Sequence, residues 1–183
     1  ALERRAGERL AMLGASPDGG SYATGTTTFV FTDIVDSTAT TAAVGDRVWR
    51  TGLDRHTSRV RALAVVHGGR LVKSLGDGFM LTFPTARSGV EFALAVQTDV
   101  RESPFDVRVG VHTGEAELVD GDHIGHHVNL AARVSGAAAA GEVLVSDVVH
   151  TILAGTRDLL FGSPRTLDLK GIPDPQIVYA VLA

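Results

Sequence analysis

The order of hydrophobic periodicities along the chain, β-α-β-β-α-β with further elements after it, predicts an α+β fold: a ferredoxin-like βαββαβ sheet with extra C-terminal elements. Three observations carry the prediction. Thr26–Asp33 is an apolar and β-branched run of strand length. "GRLVKSLGDGFMLTF" holds two such runs joined at Gly-Asp-Gly, the residue chemistry of a tight hairpin. Helical spacing fills Thr38–Val66 and Ala86–Arg101, the two intervals where the pattern needs its helices. The expected architecture is an antiparallel sheet with its helices on one face.

The elements follow in order. Residues 1–25 divide into a short helix, with Leu2, Ala6, Leu10 and Leu13 at helical spacing, and a flexible linker, "GASPDGGSYATG". The globular domain is residues 26–183. Ser37 is a candidate helix cap, and the helical stretch Thr38–Val66 is expected to be interrupted at Gly45 and Gly52. "DVRVGVHTGEAELVDG" reads as one or two strands, His126–Ser135 as a helix, and "AAAAGEVLVS" as a turn into another strand. Ser146–Ala154 is a short helix, and Thr166–Lys170 and Gln176–Leu182 are closing strands.

Composition narrows the function. With 183 residues and 44% apolar content the chain can bury a sizeable core. A net charge of -4 argues against duplex nucleic acid as a partner, though not against a small anion held by a few local cations. There is no cysteine, hence no disulfide framework and no thiolate metal site, which fits a cytoplasmic location. No apolar run approaches the ~18 residues of a membrane span, no signal peptide is visible, and no membrane partner is expected. Of the 17 basic residues only Lys73 and Lys170 are lysine, so these two positions invite a specific reason.

"FVFTDIVDST" places a carboxylate, Asp33, at the end of an otherwise buried strand, a costly position unless something pairs with it. Asp77 stands at the tip of the hairpin. Taken singly, Asp33 reads equally as a helix cap and Asp77 as a turn residue. In a ferredoxin-like sheet, however, the first strand and the hairpin are neighbours, so both carboxylates can converge on a hard cation such as Mg²⁺ or Mn²⁺, which would be the partner of Asp33. Removing either carboxylate is then expected to relieve repulsion and leave the apo fold no less stable. Asn129 and Arg133 are four apart, on one helix face with Val128, Ala131, Ala132 and Val134 behind them; an exposed polar pair is the plain alternative. His123, His126 and His127 read as solvated surface histidines rather than a metal site, since only Asp122 accompanies them.

"FVFTDIVDST", "LVKSLGDGF", "VRVGVHTGE", "DHIGHHVNLAAR" and "LDLKGIPDPQIVYAV" occur in this order, and the ordered set resembles the catalytic domain of class III nucleotidyl cyclases, of the bacterial adenylyl type, over about Thr26 to Leu182. The resemblance implies that Asp33 and Asp77, with the Ile34 carbonyl, hold two Mg²⁺ or Mn²⁺ ions. It implies that Lys73 and Asp122 read the purine, that Asn129 orients the ribose and Arg133 steadies the transition state, and that Arg108 and Lys170 contact the triphosphate. The substrate implied is ATP, the product 3′,5′-cyclic AMP, and the assembly a head-to-tail homodimer with sites at the interface. Lys73 as donor and Asp122 as acceptor complement the adenine edge; guanylyl-type members carry Glu where Lys73 stands. A guanylyl cyclase and an inactive nucleotide-binding module are the alternatives. The link from "HTG" to Asp122 is short for the family, and His126 and His127 stand where other small or polar residues are usual.

Overall fold

The computed structural model describes residues 23–182. The expected N-terminal helix and most of its linker lie outside the described residues. Strand β1 (Ala23–Ile34) is followed by helices α1 (Ser37–Val44) and α2 (Asp46–Val66), then the hairpin β2 (Arg70–Leu75) and β3 (Gly78–Phe83). Helix α3 (Ala86–Asp99) runs into a 3₁₀ turn, Val100–Glu102, before β4 (Val107–Val119) and β5 (Asp122–Ile124). Helix α4 (His126–Ala137), β6 (Val143–Ser146), α5 (Asp147–Leu153), β7 (Leu160–Phe161), β8 (Arg165–Leu167) and β9 (Gln176–Leu182) complete the chain.

The sheet order is β2-β3-β1-β4-β6-β9-β7, with β5 on β4 and β8 on β9. Its first four strands are the ferredoxin-like core, and all their pairings are antiparallel. β1 lies at the centre because Val30 and Ile34 face one layer while Phe29 and Phe31 face the other, so both sides of the strand are buried. Helices α2, α3 and α5 cover the first face over Val60, Phe92, Val96 and Val149. Four phenylalanines, Phe29, Phe79, Phe83 and Phe92, are completely enclosed, and each such burial contributes roughly 1.5–3 kcal/mol.

The additions after β4 depart from an all-antiparallel sheet with one helical face. β6 joins β4 in parallel, making the sheet mixed. Helix α4 covers the second face with Val128, Ala131 and Val134, since Phe29, Phe31, Met80 and Leu144 there would otherwise be exposed. Other boundaries also differ. Gly45 does break the helix, but Gly52 lies inside α2; a Cβ there would meet the Phe105 ring at 3.3 Å, so this glycine serves close packing. The cap of α1 is Asp36, not Ser37, and it makes no side-chain cap bond. "DVRVGVHTGEAELVDG" contains one long strand, paired with β1 from Ala23–Leu118 to Ile34–Val107. The strand expected over Thr166–Lys170 ends at Leu167, because the chain turns with Ile172 N–H donating to the Leu169 carbonyl. Among the described residues no helix is long and apolar enough to cross a membrane.

Candidate active site

Asp33 closes β1 on the face that carries Phe29 and Phe31, and its cross-strand neighbour on β4 is Arg108. Arg108 Nε donates to Asp33 Oδ2 at 2.9 Å, and Nη2 donates to the same oxygen. Arg108 Nη1 also donates to the Gly136 carbonyl at the end of α4, 3.3 Å away. The partner of Asp33 within the chain is therefore Arg108, where the sequence suggested a metal ion. Both side chains are about a third exposed (30% and 35%), so the pair stabilises by no more than ~1 kcal/mol.

Asp77 reaches the same end of the sheet through its hairpin. Thr32 is registered with Phe79, which brings Gly78 alongside Asp33. A Cβ at Gly78 would lie 2.4 Å from the Thr32 carbonyl and 3.4 Å from Asp33 Oδ1, so only glycine lets β3 approach this closely. Asp77 stands in the two-residue turn just before it, one residue along the chain from the contact with Asp33. Asp33 Oδ1 and the Asp77 carboxylate have no hydrogen-bond partner among the described residues, both arginine donors being spent on Oδ2. No group of three or more His, Cys, Asp or Glu side chains able to hold a metal occurs among the described residues. Two free carboxylate oxygens beside backbone carbonyls form an incomplete, all-oxygen donor set. That chemistry fits Mg²⁺ or Mn²⁺ with phosphate oxygens and water filling the remaining positions.

A second cluster forms farther along the same face. The β4–β5 hairpin folds over the sheet, and the His123 ring meets Phe29 edge-on at 5.5 Å. This carries Asp122 to β2, where Lys73 Nζ donates to Asp122 Oδ2 at 2.5 Å. The hydrogen bond from Lys73 is the main cause holding the Asp122 carboxyl below its usual range. The His123 backbone N–H also helps hold the carboxyl low. The pair thus offers one donor and one acceptor side by side.

Asn129 and Arg133 project from α4 on its exposed side, one turn apart, while Val128, Leu130, Ala131 and Val134 are buried beneath them. Neither makes a side-chain hydrogen bond or an ion pair among the described residues. Lys170 is exposed in the turn after buried Leu169, again without an ion pair among the described residues. Ile34 is buried at the end of β1. The structure therefore pairs Asp33 with Arg108, with Asp77 in the turn that precedes Gly78, and pairs Lys73 with Asp122. Asn129, Arg133 and Lys170 remain open to solvent. A groove of ≈ 730 Å³ between α2 and α3 is lined by none of these residues and lies on the opposite face of the sheet.

His127 corrects the sequence reading. It is half-buried, and its Nδ1 is hydrogen-bonded to Nε2 of His112 at 2.8 Å. His126 is exposed, as expected for a surface histidine. The signal for His127 lay in strand alternation, which puts His112 and Gly114 of "VGVHTG" on the face that α4 covers.

The Asp33–Arg108 pair, the Lys73–Asp122 pair and the exposed Asn129, Arg133 and Lys170 all stand on a ferredoxin-like sheet with extra C-terminal elements. The sequence matches the adenylate and guanylate cyclase catalytic domain over residues 21–183, and the chain belongs to that family. It is 33% identical over 154 residues to an adenylate cyclase of Lachancea kluyveri, covering 67% of this chain and 8% of that protein. Its fold is similar to the crystal structure of the adenylyl cyclase CyaB from P. aeruginosa, with a TM-score of 0.80 at 22% identity, covering 88% of this chain and 96% of that one. It is likewise similar to the guanylyl cyclase Cya2, with a TM-score of 0.78 at 22% identity over 87% and 92% of the two chains. Matches to the first curated relatives span only 21%, 8% and 39% of their lengths.

Proposed function

We propose that this domain converts ATP to 3′,5′-cyclic AMP and pyrophosphate at sites shared between two copies of the chain, in the cytoplasm. The observation that carries the reading is the Lys73–Asp122 pair, a donor and an acceptor side by side. Adenine presents an amino donor at position 6 and an acceptor at N1, so Asp122 accepts from the first and Lys73 donates to the second. Guanine reverses both. Asp33, Asp77 and the Ile34 carbonyl would hold Mg²⁺ or Mn²⁺, two ions per site. Such ions, when bound, lower the pKa of the 3′-hydroxyl and neutralise phosphate charge.

The remaining work falls to the side chains. Asn129 fixes the ribose so that its 3′-oxygen faces the α-phosphorus in line with the leaving group. The 3′-oxygen forms a bond to the α-phosphorus, the bond from that phosphorus to the bridging oxygen breaks, pyrophosphate departs, and the hydroxyl proton passes to solvent. Arg133 donates to the α-phosphoryl oxygens, where charge grows in the transition state. Arg108 and Lys170 bind the triphosphate. Arg108 must then divide its donors between Asp33 and phosphate. The exposure of Asn129 and Arg133, which make no side-chain hydrogen bond or ion pair among the described residues, supports a head-to-tail homodimer. In it one copy supplies Asp33, Asp77 and Arg108 and the other supplies Lys73, Asp122, Asn129, Arg133 and Lys170.

The test is product identification by chromatography after incubation with ATP and Mn²⁺, with GTP in parallel. Cyclic AMP and pyrophosphate in equal amounts are expected. Faster conversion of GTP would replace the reading with a guanylyl cyclase, and tight ATP binding without product would replace it with a binding module.

A further inference from the structure

Helix α4 is docked on β4 at two glycines. A Cβ at Gly110 would lie 2.2 Å from the Ser135 backbone nitrogen, and a Cβ at Gly114 would lie 2.3 Å from His127 Cγ. Ser135 and His127 are eight residues apart on the helix, about 12 Å at 1.5 Å per residue. Gly110 and Gly114 are four apart on the strand, about 13 Å at 3.3 Å per residue. The two lengths match with the sequence directions reversed, so α4 runs antiparallel along β4 with a contact at each end. Each contact carries one side-chain hydrogen bond. At the C-terminal end Ser135 Oγ donates to the Phe31 carbonyl at 3.1 Å. At the N-terminal end His127 Nδ1 is bonded to His112 Nε2 at 2.8 Å, and His112 Nδ1 to Ser146 Oγ at 2.7 Å.

The N-terminal bond has no substitute. The cap residue of α4 is Gly125, which makes no side-chain cap bond, and the first turn contains no acidic residue. His112 itself is fixed: it is 1% exposed, in the centre of the sheet. Burial, and then the neighbouring His127 and His126 imidazoles, push its pKa down to about 4, so it is neutral near pH 7 and keeps a lone pair or an N–H for His127 as required. Asn129 and Arg133 lie between the two anchors, on the opposite side of the helix.

We infer that His127 is a positioning residue: through its hydrogen bond to His112 it sets the height and rotation of the N-terminal half of α4, and with it Asn129 and Arg133, over the nucleotide. This deepens the cyclase reading and rests on it for the roles of those two residues. His127 touches no substrate in this account. Its loss leaves Lys73 and Asp122, which select the base, in place. The effect therefore belongs in kcat, where the placement of Arg133 against growing charge is felt, rather than in KM.

The test compares His127→Ala with His127→Asn, whose amide puts a polar atom where Nδ1 stands. Turnover of ATP with Mn²⁺ and amide hydrogen exchange across His126–Ala137 are measured for both and for the unaltered protein. His127→Ala is expected to lower kcat about tenfold, the size of one lost buried hydrogen bond, with KM within about twofold. Exchange in the first two turns of α4 should quicken, and His127→Asn should restore both quantities. The inference is overturned if His127→Ala turns over within about twofold of the unaltered protein, or if His127→Asn is as impaired as His127→Ala, which would leave only ring packing. If the unaltered protein converts neither ATP nor GTP, the cyclase reading falls. Exchange then decides alone: unchanged protection in His127→Ala overturns the anchor, and faster exchange repaired by His127→Asn upholds it.

Discussion

Replacing Lys73 by Glu tests base selection with a magnitude fixed by the geometry. In the unaltered chain Lys73 Nζ lies 2.5 Å from Asp122 Oδ2, and both side chains are 40% exposed. Partial exposure places each hydrogen bond to the base near the low end of its range, about 1 kcal/mol. Glu removes the donor to adenine N1 and sets an acceptor against that acceptor, a combined loss of about 2 kcal/mol, or roughly 30-fold in kcat/KM for ATP. For guanine the same carboxylate meets an N–H donor, so the GTP rate is expected to hold or rise. It stays low because Asp122 still opposes the guanine carbonyl. Two carboxylates at ~4 Å in a wet site also repel by about 1 kcal/mol, which should lower the melting temperature by a few degrees without unfolding the domain. The assay is kcat/KM for both nucleotides on protein shown to be folded. An ATP-to-GTP preference within about twofold of the unaltered protein would refute the argument, because Lys73 would then be only a surface cation paired with Asp122.

Asp33→Ala and Asp77→Ala should each abolish turnover at saturating Mn²⁺, measured as pyrophosphate release; near-normal activity in either removes the shared metal site. Their stabilities should differ. Asp33→Ala strands Arg108 and costs up to about 1 kcal/mol in urea denaturation, whereas Asp77→Ala breaks no ion pair and should be neutral, so the expectation of unchanged stability survives only for Asp77. Acid should destabilise the fold through His112, which Ser146 of β6 and His127 and His126 of α4 face. Unfolded, it binds a proton below about pH 6.5, but folded only near 4. The folded state therefore loses about 2 kcal/mol between pH 7 and pH 5, measured by urea midpoints, and the loss levels off below the folded value. Burial lowers the His56 pKa as well, adding in the same direction. His112→Gln should flatten the dependence, and an unchanged slope would show that His112 is not its main source.

The parts legible in the sequence were those written locally. The β1 run, the Gly-Asp-Gly hairpin and the Asn129–Arg133 spacing each follow from a period or a turn residue within a short window, and the structure has all three. β5 and β7 were missed because strands of three and two residues carry no period. Gly52 was misread as a break because its reason, the approach of Phe105, comes from a residue 53 positions away. The Asp33–Arg108 pair depends on the register of two strands, which pattern does not reveal. His127 was taken for a surface residue because its partner, His112, is reached only after α4 folds onto the second face. That helix is also the element the one-faced expectation left out.

The central claim is that each active site is assembled from two chains, and mixing two inactive variants tests it most directly. Asp33→Ala and Arg133→Ala homodimers should each be nearly inactive. In a mixed dimer one site collects both lesions and the other has neither. With free exchange about half the dimers are mixed, so turnover of ATP should recover to roughly a quarter of the unaltered value per chain, rising with total protein concentration. No recovery, with subunit exchange demonstrated independently, would contradict the account and put each active site within a single chain.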